Sequence, residues 1–201
     1  MKRRSMAALV GTLGLVALFA APAPAFGDAK GDRGQFGARL NGYQETPAIS
    51  TQADGEFRAR LRDSNTIEFE LRYADLEGGD ATAAHIHLGQ RGVAGGVVAF
   101  LCGGGGKPNC PTGRSATVTG TIVANDIQAL PAQGIAGPSD FQEVVRAMRA
   151  GVTYVNVHDA TYPNGEIRGQ IRGGNGVDDR GRNGDKDKDG KGNKGKGRKD
   201  D

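Results

Sequence analysis

The sequence predicts an all-β fold, an antiparallel β-sandwich or Greek-key-like barrel with one short helix. Three observations carry this. Apolar residues alternate with charged ones over Phe57 to Leu61 and again over Ile67 to Tyr73, giving each segment one apolar and one charged face. Six more short runs, Phe36 to Gly42, Ala83 to Leu88, Val97 to Leu101, Ala116 to Val123, Thr153 to His158 and Glu166 to Ile171, are separated by Gly, Pro and Asn turns. Only the stretch after Ser139 repeats its apolar residues at helical spacing.

Ahead of the strands, Lys2, Arg3 and Arg4 precede an apolar run from Ala7 to Ala20, and Ala23-Pro24-Ala25 has the small-x-small form of a cleavage site. Residues 1–25 therefore read as a signal peptide and 26–35 as a short linker. The run is too short to span a bilayer, and no other segment approaches 18 apolar residues, so no integral membrane segment is expected after cleavage. The expected location is secreted, extracellular or cell-envelope, which means periplasmic if the cell has an outer membrane.

The segments on either side of Asp63-Ser64-Asn65 form a hairpin whose charged faces can pair across the strands. Cys102 and Cys110 are the only cysteines. They bracket a Gly-rich segment with almost nothing to pack, and outside the cell a disulfide between them would persist as a local staple worth about 2 to 3 kcal/mol. In the helix, Ser139 is the expected cap with Gln142 as its reciprocal partner. Phe141, Val144, Val145 and Met148 make the buried stripe, and Gly151 makes the stop. Residues 36–173 form the β domain. Residues 174–201, rich in Gly, Lys and Asp, bury too little to order and read as a disordered tail. Asp185, Asp187 and Asp189 imitate a calcium loop, but Lys196 occupies the position that needs a bidentate Glu.

Charge narrows the function. The chain has 26 basic and 23 acidic residues, and between residues 26 and 173 the acidic ones are in slight excess, so no nucleic-acid partner is expected. No serine elbow, phosphate loop or dinucleotide motif is present, and the cysteines are committed to each other, so no enzymatic activity is expected. Glu45, Asp159 and Glu166 are carboxylates near strand ends. Glu166 with Arg168 reads most simply as a strand-face ion pair or a turn clamp.

The three histidines are the candidate metal ligands. His85 and His87 share a strand face by the period of two, and His158 shares a face with Tyr154 and Asn156 on another strand. Three imidazoles on neighbouring strands suit one copper or zinc ion, with Asp159 or Glu166 as a further oxygen, and such binding should weaken below about pH 6.5 as protons compete. The competing reading makes them hydrogen-bonded side chains near a Gly-rich turn.

Four ordered blocks resemble a known family. They are Leu40-Asn41-Gly42-Tyr43-Gln44-Glu45-Thr46-Pro47, Ala84-His85-Ile86-His87-Leu88-Gly89, Ala150-Gly151-Val152-Thr153-Tyr154-Val155-Asn156-Val157-His158 and Pro163-Asn164-Gly165-Glu166-Ile167-Arg168-Gly169-Gln170-Ile171. Together they are similar to the CHRD domain, first described in the animal protein chordin, in a secreted bacterial-type member. The resemblance implies an extracellular all-β module without enzymatic activity. Its main functional expectation is a binding or structural role at the cell surface or in the extracellular matrix, with an extracellular protein, a polysaccharide or a metal ion as partner. A mononuclear metal-binding protein built on His85, His87 and His158 is the alternative. Carbohydrate attachment would need an exposed aromatic pair such as Tyr43 and Tyr162.

Overall fold

The protein is described from a computed structural model covering residues 34–174. The residues expected to form a signal peptide, 1–25, most of the expected linker and the expected tail beyond Gly174 lie outside the described residues. Nine strands form one antiparallel sheet: β1 Gln35–Asn41, β2 Asp54–Asp63, β3 Thr66–Ala74, β4 Ala83–Leu88, β5 Gly96–Cys102, β6 Ala116–Val123, β7 Thr153–His158, β8 Ile167–Gln170 and β9 Arg172–Gly173. The order is β5-β4-β7-β8-β1-β2-β3-β6, with β9 beside β1. The sheet curls into a nearly closed barrel, and just beyond β6 the Gln128 amide donates to the Val98 carbonyl of β5 at 2.9 Å. The short strand β9 was not expected.

The alternation places the core as anticipated. Phe57, Ala59, Ile67, Phe69, Leu71 and Tyr73 face inward, and the Phe57 and Phe69 rings lie 6.3 Å apart. On the wet face the register sets Arg60 opposite Glu68, and that pair bonds across the strands at 3.2 Å. Arg58 and Arg72 instead bond Glu56 and Glu70 along their own strands, each at 2.9 Å. Glu70 is buried, but its partner Arg72 and both members of the other two pairs are exposed or half-exposed, so these pairs are of small worth.

Helix α1, Phe141–Arg149, docks Phe141, Val144, Val145 and Met148 into the core. Gly151, at φ 70°, terminates it as expected. The expected start is corrected. A single 3-10 turn, Pro138–Asp140, leads in, and Asp140 occupies the cap without a side-chain bond to the helix. The Asp140 carboxylate accepts from the Ala136 amide, while the Gln142 side chain reaches across to the Ser64 carbonyl. With Gln142 drawn to the β2–β3 turn, the reciprocal cap has no second member.

Cys102 and Cys110 are joined, and their loop, which has few side chains of its own to pack, lays its glycine backbone against a neighbouring ring. Gly104 and Gly105, at φ 155° and 57°, lie so close to the Phe100 ring that an added Cβ would fall 2.7 and 2.4 Å from its atoms. Lys107 fastens the far side through Asp126 at 2.6 Å and the Thr121 carbonyl at 2.7 Å.

Candidate metal centre

Strand β4 alternates Ala84 and Ile86 into the core with His85 and His87 outward. Its neighbour β7 sets Asn156 opposite His85, Tyr154 opposite His87 and His158 opposite Ala83. The outward faces of two adjacent strands thus carry all three histidines. One nitrogen from each lies within 4.8 Å of those of the other two. The three rings thus lie together in the fold, a point that the strand periods alone left open.

Carbonyl oxygens fix the ring orientations. Nδ1 of His87 donates to the Gly95 carbonyl at 2.9 Å, and Nδ1 of His158 to the Pro163 carbonyl at 3.1 Å. A carbonyl can only accept, so each ring carries its proton on Nδ1 and keeps a lone pair on Nε2. Nε2 of His158 lies 3.0 Å from Nδ1 of His85, which donates to it, and 2.9 Å from Asn156 Oδ1, an acceptor that makes no hydrogen bond with an unprotonated Nε2. Nε2 of His87 and Nε2 of His85 are buried without a hydrogen-bond partner. Backbone support of one ring nitrogen with the other left for an ion is the arrangement of metal-binding histidines.

Burial keeps the rings neutral. Desolvation, then the neighbouring His158 and His87, pushes His85 down to about 3. Burial first, opposed by the bond to Pro163, takes His158 down to about 4. His87 is lowered chiefly by burial, and the bond to Gly95 works against the shift. All three therefore stand in the ligand form at neutral pH.

Several contacts around the rings escaped the sequence reading. Phe100 meets His85 edge-on with ring centroids 4.5 Å apart, so the disulfide loop packs on the residue that walls the site. His87 stacks on Tyr154 at 4.7 Å and 8°, and the Arg168 guanidinium lies 3.4 Å over the same Tyr154 ring. Arg168 is 2% exposed and donates to Thr46 Oγ1 and to the Gln90 and Val93 carbonyls. Outward positions on β5 and β8 were the available signal, since both strands lie within two places of β4 in the sheet.

The expected oxygen ligands do not join. Asp159 caps its own turn, accepting from the Thr161 and Tyr162 amides at 2.8 Å each. Glu166 accepts from Thr51 Oγ1 and the Glu77 and Gly78 amides, so it clamps a distant loop and forms no pair with Arg168. Burial, helped by Glu166, raises Asp159 to about 6. Against its own burial, the bonds from Asp159, Thr51 and the two amides hold Glu166 low. Glu45, 7% exposed, sits beyond Asn156, and desolvation raises it to about 7 despite Arg168.

Fold and site together define a small antiparallel β-barrel module whose outer face carries a compact imidazole cluster. The family model of the CHRD domain matches residues 36–171, and the chain belongs to that family, a β domain without catalytic activity. Searches of the curated proteins and of the solved structures found no match. No helix among the described residues is long and apolar enough to cross a membrane.

Proposed function

We propose that this protein holds one transition-metal ion, copper or zinc, on His85, His87 and His158. The observation that carries the reading is the pair of buried, unpartnered Nε2 atoms of His85 and His87 beside Nε2 of His158. Buried polar atoms are almost always satisfied, and an ion bound by neutral imidazoles would satisfy all three rings at once. Bound there, the metal supplies a Lewis-acidic centre. The chain's part is to orient two rings through Gly95 and Pro163, wall the third with Phe100 and keep water from the far side of His87 with Tyr154. Copper should bind more tightly than zinc, following the general order of divalent ions.

The module acts outside the cytoplasm. The disulfide and the export-like residues 1–25 support this, because a bridge of this kind persists in oxidising surroundings. Metal analysis of the protein purified without an affinity tag, followed by calorimetry with copper and zinc, tests the reading. Stoichiometric binding of one ion supports it, and no binding tighter than micromolar overturns it.

A further inference from the structure

A second cleft lies on the same outer face, beyond Arg168 from the histidines. It encloses about 410 Å³, within the usual range of small-ligand sites. Arg39 of β1, Arg91 of the loop after β4 and Arg172 of β9 line it, and among the described residues that line it there is no carboxylate. Glu56, opposite Arg39 in the sheet register, is bonded to Arg58 instead.

Tyr43 stands at the edge of this cleft and is 73% exposed, the most exposed large apolar side chain among the described residues. Its turn is held from both sides. Asn41 Oδ1 accepts from the Gln44 amide at 3.1 Å, and the Gln44 side chain donates to the Arg39 carbonyl at 2.8 Å. The ring is thus presented on a fixed turn. Gln170 also lines the cleft. Its Nε2 donates to the Gly89 and Gly151 carbonyls at 2.9 Å each, while its buried Oε1 has no partner. At 9% exposure, this is an acceptor awaiting a donor.

We propose that the cleft binds an acidic saccharide. Guanidinium forks match the two oxygens of a carboxylate or sulfate. The Tyr43 ring offers an apolar plate for the flat face of a sugar, and Gln170 Oε1 can accept from a sugar hydroxyl. A nucleic acid fits less well, because it needs a long basic track and the surrounding domain has no net positive field. The assignment is independent of the metal centre.

The test uses the full chain, with oligogalacturonate as probe and neutral dextran, inorganic phosphate and a thymidine oligonucleotide as comparisons, in low-salt calorimetry. The expected result is oligogalacturonate binding that weakens by about tenfold in Arg39→Ala/Arg91→Ala and by about fivefold in Tyr43→Ala, with dextran inert. Both variants alter exposed side chains, and unchanged thermal unfolding confirms that they fold. Four results would overturn the proposal: no oligogalacturonate binding, binding that survives both variants, phosphate bound as tightly as the saccharide, or preference for the oligonucleotide. Binding that survives the variants would place the affinity in another basic segment, such as residues 174–201.

Discussion

Nδ1 of His85 lies 3.0 Å from Nε2 of His158, although 73 residues separate them along the chain. In the metal-free protein Nδ1 of His85 donates to the lone pair on Nε2 of His158, so an ion bound there competes with that bond. We therefore expect His85→Ala, His87→Ala and His158→Ala each to weaken copper affinity by at least about 100-fold. Calorimetry checks this alongside thermal unfolding. Tight binding in His158→Ala would show that the β4 pair binds an ion without β7.

The pH dependence differs from that of exposed imidazoles. With His85 near 3 and His158 near 4, protons compete weakly, and copper affinity should change little between pH 7.5 and about pH 5. Titrations at several pH values decide it, and a tenfold loss by pH 6 would contradict the burial argument. In the metal-free protein these folded values lie below the unfolded one, so the unfolded chain takes up protons first. Stability is full above about pH 6.5 and falls as the pH drops toward 4. Urea unfolding at pH 7 and pH 5 measures that slope.

Glu45 has the opposite sign. Its folded value, raised by burial to about 7, exceeds the unfolded one, so its stabilising contribution is present below about pH 4.5 and lost as the pH rises through 7. Glu45→Gln should leave stability nearly unchanged at pH 5 and raise it at pH 8, by on the order of 3 kcal/mol at most. Urea unfolding at the two values checks this, and a loss at pH 8 would show that the charged form is the stabilising one.

Most of the barrel was legible because a strand with one dry face writes its period into the sequence. Residues 57–61 and 67–73 gave their pairing, and β4 and β7 gave the common face of the histidines. What could not be read was which distant group each polar side chain meets. Glu166 finds Thr51, 115 residues away, in place of Arg168 two positions along, and Asp159 spends its Oδ1 on the next two amides after Ala160. Arg168 reads as a wet strand residue yet is buried, because the loop carrying Gln90 and Val93 folds over it. Burial by loops from elsewhere leaves no local period, so neither Arg168 nor Glu45 announced itself.

The disulfide loop links stability to the site. Cys102→Ser/Cys110→Ser should fold and lose at most about 3 kcal/mol. It should also weaken copper binding several-fold, since Gly104 and Gly105 back the Phe100 ring against His85. Denaturation and calorimetry on the same samples separate the two effects. Unaltered affinity would mean that Lys107 and Asp126 alone hold the loop in place.

Strand β1 lies between β2, its neighbour in the chain, and β8, which is made near the end of the domain. A chain emerging from its amino end can build the β1-β2-β3 meander early, but β1 keeps one open edge until β8 arrives. The histidine strands β4 and β7 reach the rest of the barrel through that same seam. Folding is therefore gated by completion of the domain. A polypeptide threaded through a narrow export pore would stay unlocked until its last strand was through, and only then could the imidazole cluster assemble.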